Sequence, residues 1–512
     1  MQSRINHPIH LAVLLAAVVS LVAGGCSPRE VRESDRIPVI WPDYTAIDLP
    51  VNIAPLNFRV EGHTGRVTAE VSGRKGRLEV TGRGGEIRFP LRKFRELLAS
   101  HAGDTLRVRV TTTEGKLRTR YAPFFWMVQA DPVDRYLTYR LIEPGYEVWN
   151  KITINQRDVT SFEERVLADN NLLDGACMNC HVSNKKEPGT AFFHLRHANG
   201  GTVISRNGIL RKLDTRTDST LSAGVYGNWH PAGRFIAFSA NTIIPEFYAV
   251  HNQRMEVYDT ASDLLLLDTE QNQVFTSPLI SDPGRLETFP EFSADGKSLF
   301  FCSADTVSLP EKYRELKYSL CRISFDPANL RLGDRVDTLF SAAGHHPSVS
   351  EPKASPDGRW LLFTATDFGT FPIWHPEARL YLLDLATLTL DTLATVNTNR
   401  YSNSWHSWSA NSRWFVFASK RDNGLYGKPW LVNVGRDGRA RKPFLLPQED
   451  PDFYDHFTKS FNIPELFESP NTYRYGDVEK IFNEPAEKVT FIIPGKSLKP
   501  DSHEDEHQEK YQ

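Results

Sequence analysis

In the stretch DGACMNCHVSN, residues 174–184, Cys177 and Cys180 stand two residues apart and His181 follows at once. Two thiols at that spacing can be joined to the two vinyl groups of one porphyrin edge, and the adjoining imidazole can take the iron from the proximal side. The pattern predicts covalent attachment of one haem c. A zinc site would need two further ligands, and there is no second close cysteine pair. A thioredoxin-like redox pair would need a βαβ setting that the flanks do not offer. A structural disulfide between Cys177 and Cys180 stays open as the alternative. With haem attached and His181 proximal, the far side of the iron calls for Met or His. Methionine is scarce: Met1, Met127, Met178 and Met255. Met178 lies inside the attachment loop and cannot reach round the ring. The order of candidates is His194, in the strand-like run FFHLRH, then His230, in the turn WHP, then Met127. Strand alternation turns His197 away from the face that His194 uses.

Haem attachment of this kind occurs outside the cytoplasm, and the N-terminus predicts export. MQSRINHPIH is a short basic leader, Leu11 to Gly25 is apolar or small, and Cys26 follows Ala23-Gly24-Gly25. The run is too short for a permanent membrane span and reads as a signal peptide over residues 1–25. The small residues ending at a cysteine resemble a bacterial lipobox, with Ala23 standing where Leu or Val is commoner. That resemblance implies a lipid on Cys26 and a place in the cell envelope of a Gram-negative bacterium, facing the periplasm or in the outer membrane. A net charge of −3 argues against nucleic acid as a partner. Charge is uneven, with Lys and Arg in excess over residues 51–120 and acids in the tail DSHEDEHQEKYQ. Solvated strand faces account for the first, and docking to an acidic partner is the alternative. The His503–His507 segment HEDEH matches a zinc-peptidase motif literally, but it lies in an apolar-poor tail instead of on a buried helix. No Gly-x-Ser-x-Gly elbow occurs.

These residues need elements to hold them. Residues 26–49 read as a tether. RVTAEVSG, GRLEVTG, GEIRFP and TLRVRVTTT alternate apolar and polar residues between Gly-rich turns. LRKFRELLASHAG puts Leu91, Phe94, Leu97 and Leu98 on one helical face. A β-sandwich-like domain over residues 50–160 follows from this. Ser161 with Glu164 three residues on has the form of a capping box, which predicts a short helical haem-attachment segment over 161–189. Beyond it four segments repeat about every sixty residues: NWHPAGRFIAFSANT, PEFSADGKSLFFCSAD, PKASPDGRWLLFTATD and SWSANSRWFVFASKR. Each has a tight turn, a basic residue and then an apolar strand. A degenerate unit precedes them at 190–222, and the C-terminal region offers a sixth.

The repeats resemble the TolB-like class of WD-type propeller repeats, carried by Ser293, Asp295, Gly296 and Lys297 and by Ser355 to Arg359. Ala232 and the Asn411-Ser412 pair depart from the pattern. The resemblance implies a five- or six-bladed β-propeller over 190–490, and the acidic, apolar-poor composition of residues 491–512 predicts a disordered tail. The chain is thus expected to be mainly β, with sandwich, haem segment and propeller in that order, similar to exported bacterial lipoproteins that combine such a propeller with one c-type haem motif. Cys302, ending SLFFC, and Cys321, in YSLCRISF, are expected on successive antiparallel strands and to form a disulfide, with two buried free thiols as the alternative. The expected function is envelope electron transfer or redox-coupled binding through a protein partner. Two alternatives are a haem-free scaffold with a Cys177–Cys180 disulfide, and a haem-dependent oxidoreductase with its substrate in the propeller mouth.

Overall fold

Short alternating apolar strands separated by Gly, Asn and Asp turns dictate a mainly β protein. The computed structural model describes residues 30–144, 150–187 and 189–494, so Cys26 and the HEDEH segment lie outside the described residues. Among the described residues no helix is long and apolar enough to cross a membrane.

The N-terminal unit holds a seven-stranded sheet and a three-stranded sheet. The predicted strands form at Arg66–Gly73, Gly76–Gly82 and Thr105–Glu114, and the helix at Leu91–Ser100 buries Phe94, Leu97 and Leu98. Part of the expected tether belongs to the larger sheet, because Glu30–Glu33 pairs in parallel with Leu117–Arg120. The unit's core runs without a break into the C-terminal half: Phe58, Phe94 and Trp126 share one buried cluster with Trp414, Phe415 and Trp430. Asp134 pins this junction. Its carboxylate accepts from the Ser409 hydroxyl at 2.6 Å and the Ala410 amide at 3.0 Å.

The rest is a propeller-like ring of six antiparallel sheets, here called blades 1 to 6. Their innermost strands are Ser460–Phe467, Cys177–Ser183, Val225–Trp229, Arg285–Phe292, Ser348–Ala354 and Asn403–Trp408. Each packs against the next round the ring, and the last against the first. Ladder hydrogen bonds run within blades; between blades 3 and 4 there is one parallel bridge, Ser262 to Leu286. Blade 1 is completed from both ends of the chain. Its inner strand, Ser460–Phe467, pairs with Tyr136–Ile142, which pairs with Thr153–Asp158 and then Glu164–Asp169.

Two sequence expectations change here. The ring begins at Tyr136, inside the stretch assigned to the sandwich. The expected helix after Ser161 is instead the outer strand Glu164–Asp169 and one 3-10 turn, Asn170–Leu172. Ser161 Oγ accepts from the Glu163 amide at 3.2 Å, and Glu164 is drawn across the blade to the Tyr139 hydroxyl and the Asn155 amide. Cys177, Cys180 and His181 therefore lie on the inner strand of blade 2, not on a helix.

Candidate functional site

All six inner strands slip register at the same place. The shifts fall between Asn179 and Val182, Val225 and Asn228, Thr288 and Glu291, Ser350 and Lys353, and Ser404 and His406, and on blade 1 opposite Thr138 and Arg140. In five blades the residue at the bulge has positive φ without being glycine: Tyr226 (49°), Phe289 (51°), Glu351 (56°), Trp405 (46°) and Ile463 (51°). Such backbone costs of order 1–3 kcal/mol per residue and gathers where side chains must be aimed. Here it turns residues towards the axis and makes a waist. Cys180 and His181 occupy that register position in blade 2, and the side chain of Cys180 lies outside the described part.

The waist separates two cavities, and Tyr226, Trp405 and Ile463 line both. On the side where the inner strands start is a mouth of about 380 Å³ with Cys177 and Asn179 on its wall, together with Phe247, Met255, Phe371, Trp374 and Phe461. On the far side is a smaller channel of about 100 Å³ whose lining includes His181 and the charged side chains of Lys185, Glu291, Glu351, Lys353 and Glu465. Lys353 Nζ lies 3.3 Å from Glu291, and Glu465 accepts from the Ser183 amide with both oxygens, at 3.0 and 2.9 Å. Burial pushes the Glu351 carboxyl up to about 7.

His181 is buried, and neither of its ring nitrogens has a hydrogen-bond partner. Burial first, and the charge of Arg140 second, push it down to about 4. The Thr138 and Ile463 backbone groups offset this in part but fall outside hydrogen-bond geometry. The imidazole is neutral at physiological pH and keeps a lone pair available.

No family model matches this chain, and no curated protein does. Among solved structures it is similar to a puromycin hydrolase at 14% identity and a TM-score of 0.37, over 60% of this chain and 45% of that one. It is similar to an oligogalacturonate lyase in complex with manganese at 12% identity and a TM-score of 0.34, over 60% and 73%. It is similar to prolyl oligopeptidase B from Galerina marginata at 8% identity and a TM-score of 0.32, over 52% and 37%. The chain spans less than half the length of the puromycin hydrolase it matches.

The expected far-side ligands are not brought to the mouth. His194 is packed between blades 2 and 3 against Phe192 and Phe238, with Nδ1 3.0 Å from Thr202 Oγ1, and it lines a different cavity from Cys177. Its Nε2 is buried without a partner. His230 sits in the turn after an inner strand, at the end of the ring away from Cys177. There Nδ1 accepts from the Ala232 amide at 3.1 Å, so Nε2 donates to the Gly296 carbonyl at 3.2 Å. It ties the turn of blade 3 to that of blade 4. Met127 is on the N-terminal sheet, 38% exposed, beside Thr105. Met255, which has no place in that order of candidates, shares the mouth with Cys177.

The Cys302–Cys321 disulfide is also corrected. Phe301 stands opposite Cys321, and Cys302 opposite Leu320, so the one-residue offset sends the two thiols to opposite faces of blade 4. Cys302 joins the core shared with blade 5 and Cys321 the one shared with blade 3. Both are free and buried, and burial raises both thiols, Cys321 to about 11. Alkylating unfolded, unreduced protein is expected to modify both. Peptide mapping that finds them unlabelled and joined would contradict the register.

Proposed function

We propose that this chain is a cell-envelope protein whose six-bladed β-propeller carries one covalent haem c at its waist, between Cys177 on the mouth side and His181 on the channel side, for electron transfer or redox-coupled binding of a protein partner. The observation that carries the reading is His181: an imidazole directly after Cys180, buried at the waist, with both nitrogens unsatisfied. Leaving such a group without a partner is costly, and an iron atom on one nitrogen would satisfy it. The mouth beside Cys177 is large, mainly apolar and walled by aromatic rings. Holding one porphyrin edge by both thiols needs a tighter curl than a strand, which rises about 3.3 Å per residue. The bulge at Cys180 and His181 supplies part of that curl.

On this reading Cys177 and Cys180 would hold the porphyrin and His181 the iron, and Met255 would replace His194 as the candidate for a second ligand. Arg140 and Arg196, on the same wall, complement the charge of the propionates. Haem supplies a one-electron centre, and the aromatic wall limits access of water to it. Cys26 carries the lipid that tethers the protein to the membrane.

Protein exported alongside a c-type maturation system is expected to gain the mass of one haem and of a lipid adduct. It should show a reduced α-band and keep its haem through denaturing electrophoresis. Met255→Leu is expected to convert a low-spin ferric spectrum to high-spin with haem retained, while His194→Ala leaves the spectrum unchanged. Colourless protein with no haem stain would overturn the reading in favour of a haem-free scaffold. Fast carbon monoxide binding to reduced wild-type protein would favour an oxidoreductase with its substrate in the mouth.

A further inference from the structure

Lys420 follows the second strand of blade 6, Trp414–Ser419, and lines the mouth cavity. It is 6% exposed, and its Nζ is buried without a hydrogen-bond partner. Among the described residues it lies over the face of Trp374, 2.7 Å from Nζ to the ring centroid. An ammonium in that position has given up water and gained only a cation–π contact, worth about 2 kcal/mol when desolvated. Burial, with the Arg254 charge adding to it, holds the amine well below the ordinary lysine range. Buried polar groups are nearly always hydrogen-bonded, so a buried amine without a hydrogen-bond partner, on a residue that lines a cavity, points to a partner that is missing.

The rest of the cavity narrows what that partner is. Among the described residues two more cations, Arg140 and Arg196, line it, against one acid, Glu143, which has Lys459 3.9 Å away. The remaining wall is largely aromatic and aliphatic. A volume of about 380 Å³ is within the range of small-molecule pockets.

We propose that the mouth cavity binds an apolar organic acid whose carboxylate is met by Lys420. The site stands whether or not haem is attached, and the carboxylate has two sources: the propionates of a haem held at Cys177 and Cys180, or a separate small acid.

The probes are 1-naphthoate and its neutral analogue 1-naphthylmethanol, titrated by calorimetry into full-length protein made with and without the maturation system. In haem-free protein the acid is expected to bind at least about tenfold more tightly than the alcohol, the worth of one charge-assisted hydrogen bond. Lys420→Met, which keeps the apolar stem, is expected to remove that preference and leave alcohol binding unchanged. Acid binding confined to the haem-free form supports the site with haem carboxylates as its occupant. Binding to both forms supports it with a separate acid. Equal affinity of acid and alcohol in wild-type haem-free protein overturns the proposal, as does an unchanged preference in Lys420→Met. The wild-type comparison decides the matter even if the variant does not fold. Haem staining of the same preparations reports separately on the haem reading.

Discussion

A chain ending at Lys459 is expected not to fold cooperatively. The strand it loses, Ser460–Phe467, is the inner strand of blade 1, and it packs on the inner strands of blades 6 and 2 at once. Phe461, Leu466 and Phe467 are buried in it. Its polar atoms hold both neighbours: Ser460 Oγ accepts from the Gly427 amide at 3.0 Å, Ser407 Oγ from the Leu466 amide at 3.2 Å, and Glu465 from the Ser183 amide. Without it Tyr136–Ile142 would face the axis as an unpaired edge, and the Ser183 amide would be buried without its acceptor. The same contacts can be tested more gently. Leu466 is fully buried, so Leu466→Ala should cost about 2–5 kcal/mol, a large part of the ~5–15 kcal/mol that holds a typical protein folded. Urea unfolding of the point variant and limited proteolysis of the truncated chain are the measurements. A truncated protein with one sharp transition at the wild-type midpoint would show that the ring does not depend on this strand.

The turn after each inner strand was legible because its chemistry is local. Ser293 and Ser355 each donate to an aspartate two residues on at 2.6 Å, and Asp295 and Asp357 each accept the next but one amide at 3.1 Å. The divergent copies keep the geometry with other atoms. Asn411 Oδ1 takes the part of the aspartate, and His230 Nδ1 accepts where a side-chain oxygen does elsewhere. That substitution explains why His230 looked free for a ligand when it is not.

Blade 1 was not legible, because its inner strand comes from the far end of the chain and no local pattern reports such a pairing. The Ser161–Glu164 pattern misled for a related reason: tertiary partners at Tyr139 and Asn155 outweigh a local cap. One signal was present and unread. Pro290 and Pro352 stand three residues ahead of Ser293 and Ser355, and Gly227 and His406 three ahead of His230 and Ser409. Proline cannot donate to a ladder, and there it marks the bulge. His181 stands three ahead of Asn184, whose side chain caps the corresponding turn by accepting from the Lys186 amide at 2.9 Å. In this phase Cys180 and His181 belong to the repeat itself, which places them at the waist without any appeal to haem.

The wall of the mouth is expected to weaken as pH rises from 6.5 to 9, and Glu256→Gln should abolish most of that dependence. His375 is 1% exposed and lies between two carboxylates, with Nε2 2.6 Å from Glu256 and Nδ1 2.8 Å from Glu377. Phe368 closes on the ring at 4.6 Å between centroids. Both nitrogens donate, so the ring is the cation. Burial alone would lower its pKa, but the two carboxylates outweigh burial and raise it to about 9. A group raised in the folded state stabilises fully below its unfolded value, near 6.5, and loses that contribution as pH climbs through 9. The size is of order 3 kcal/mol, from about 1.4 kcal/mol per unit. Glu377, held low by His375 against its own burial, acts at the other end: its contribution is present above the ordinary carboxylate range and fades in acid. Removing one partner of a buried pair costs about 3–5 kcal/mol, so Glu256→Gln should also be less stable at pH 6.5. The consequence reaches the cavity because Glu256 adjoins Met255 on the long hairpin of blade 3, while His375 follows Pro372–Trp374 beside the mouth. The ion pair clamps the blade 3 hairpin to the blade 5 loop across the opening. Urea midpoints at pH 6.5 and 9 for both proteins decide it: a wild-type midpoint that does not fall, or a fall of equal size in Glu256→Gln, would mean that this histidine does not hold the mouth together.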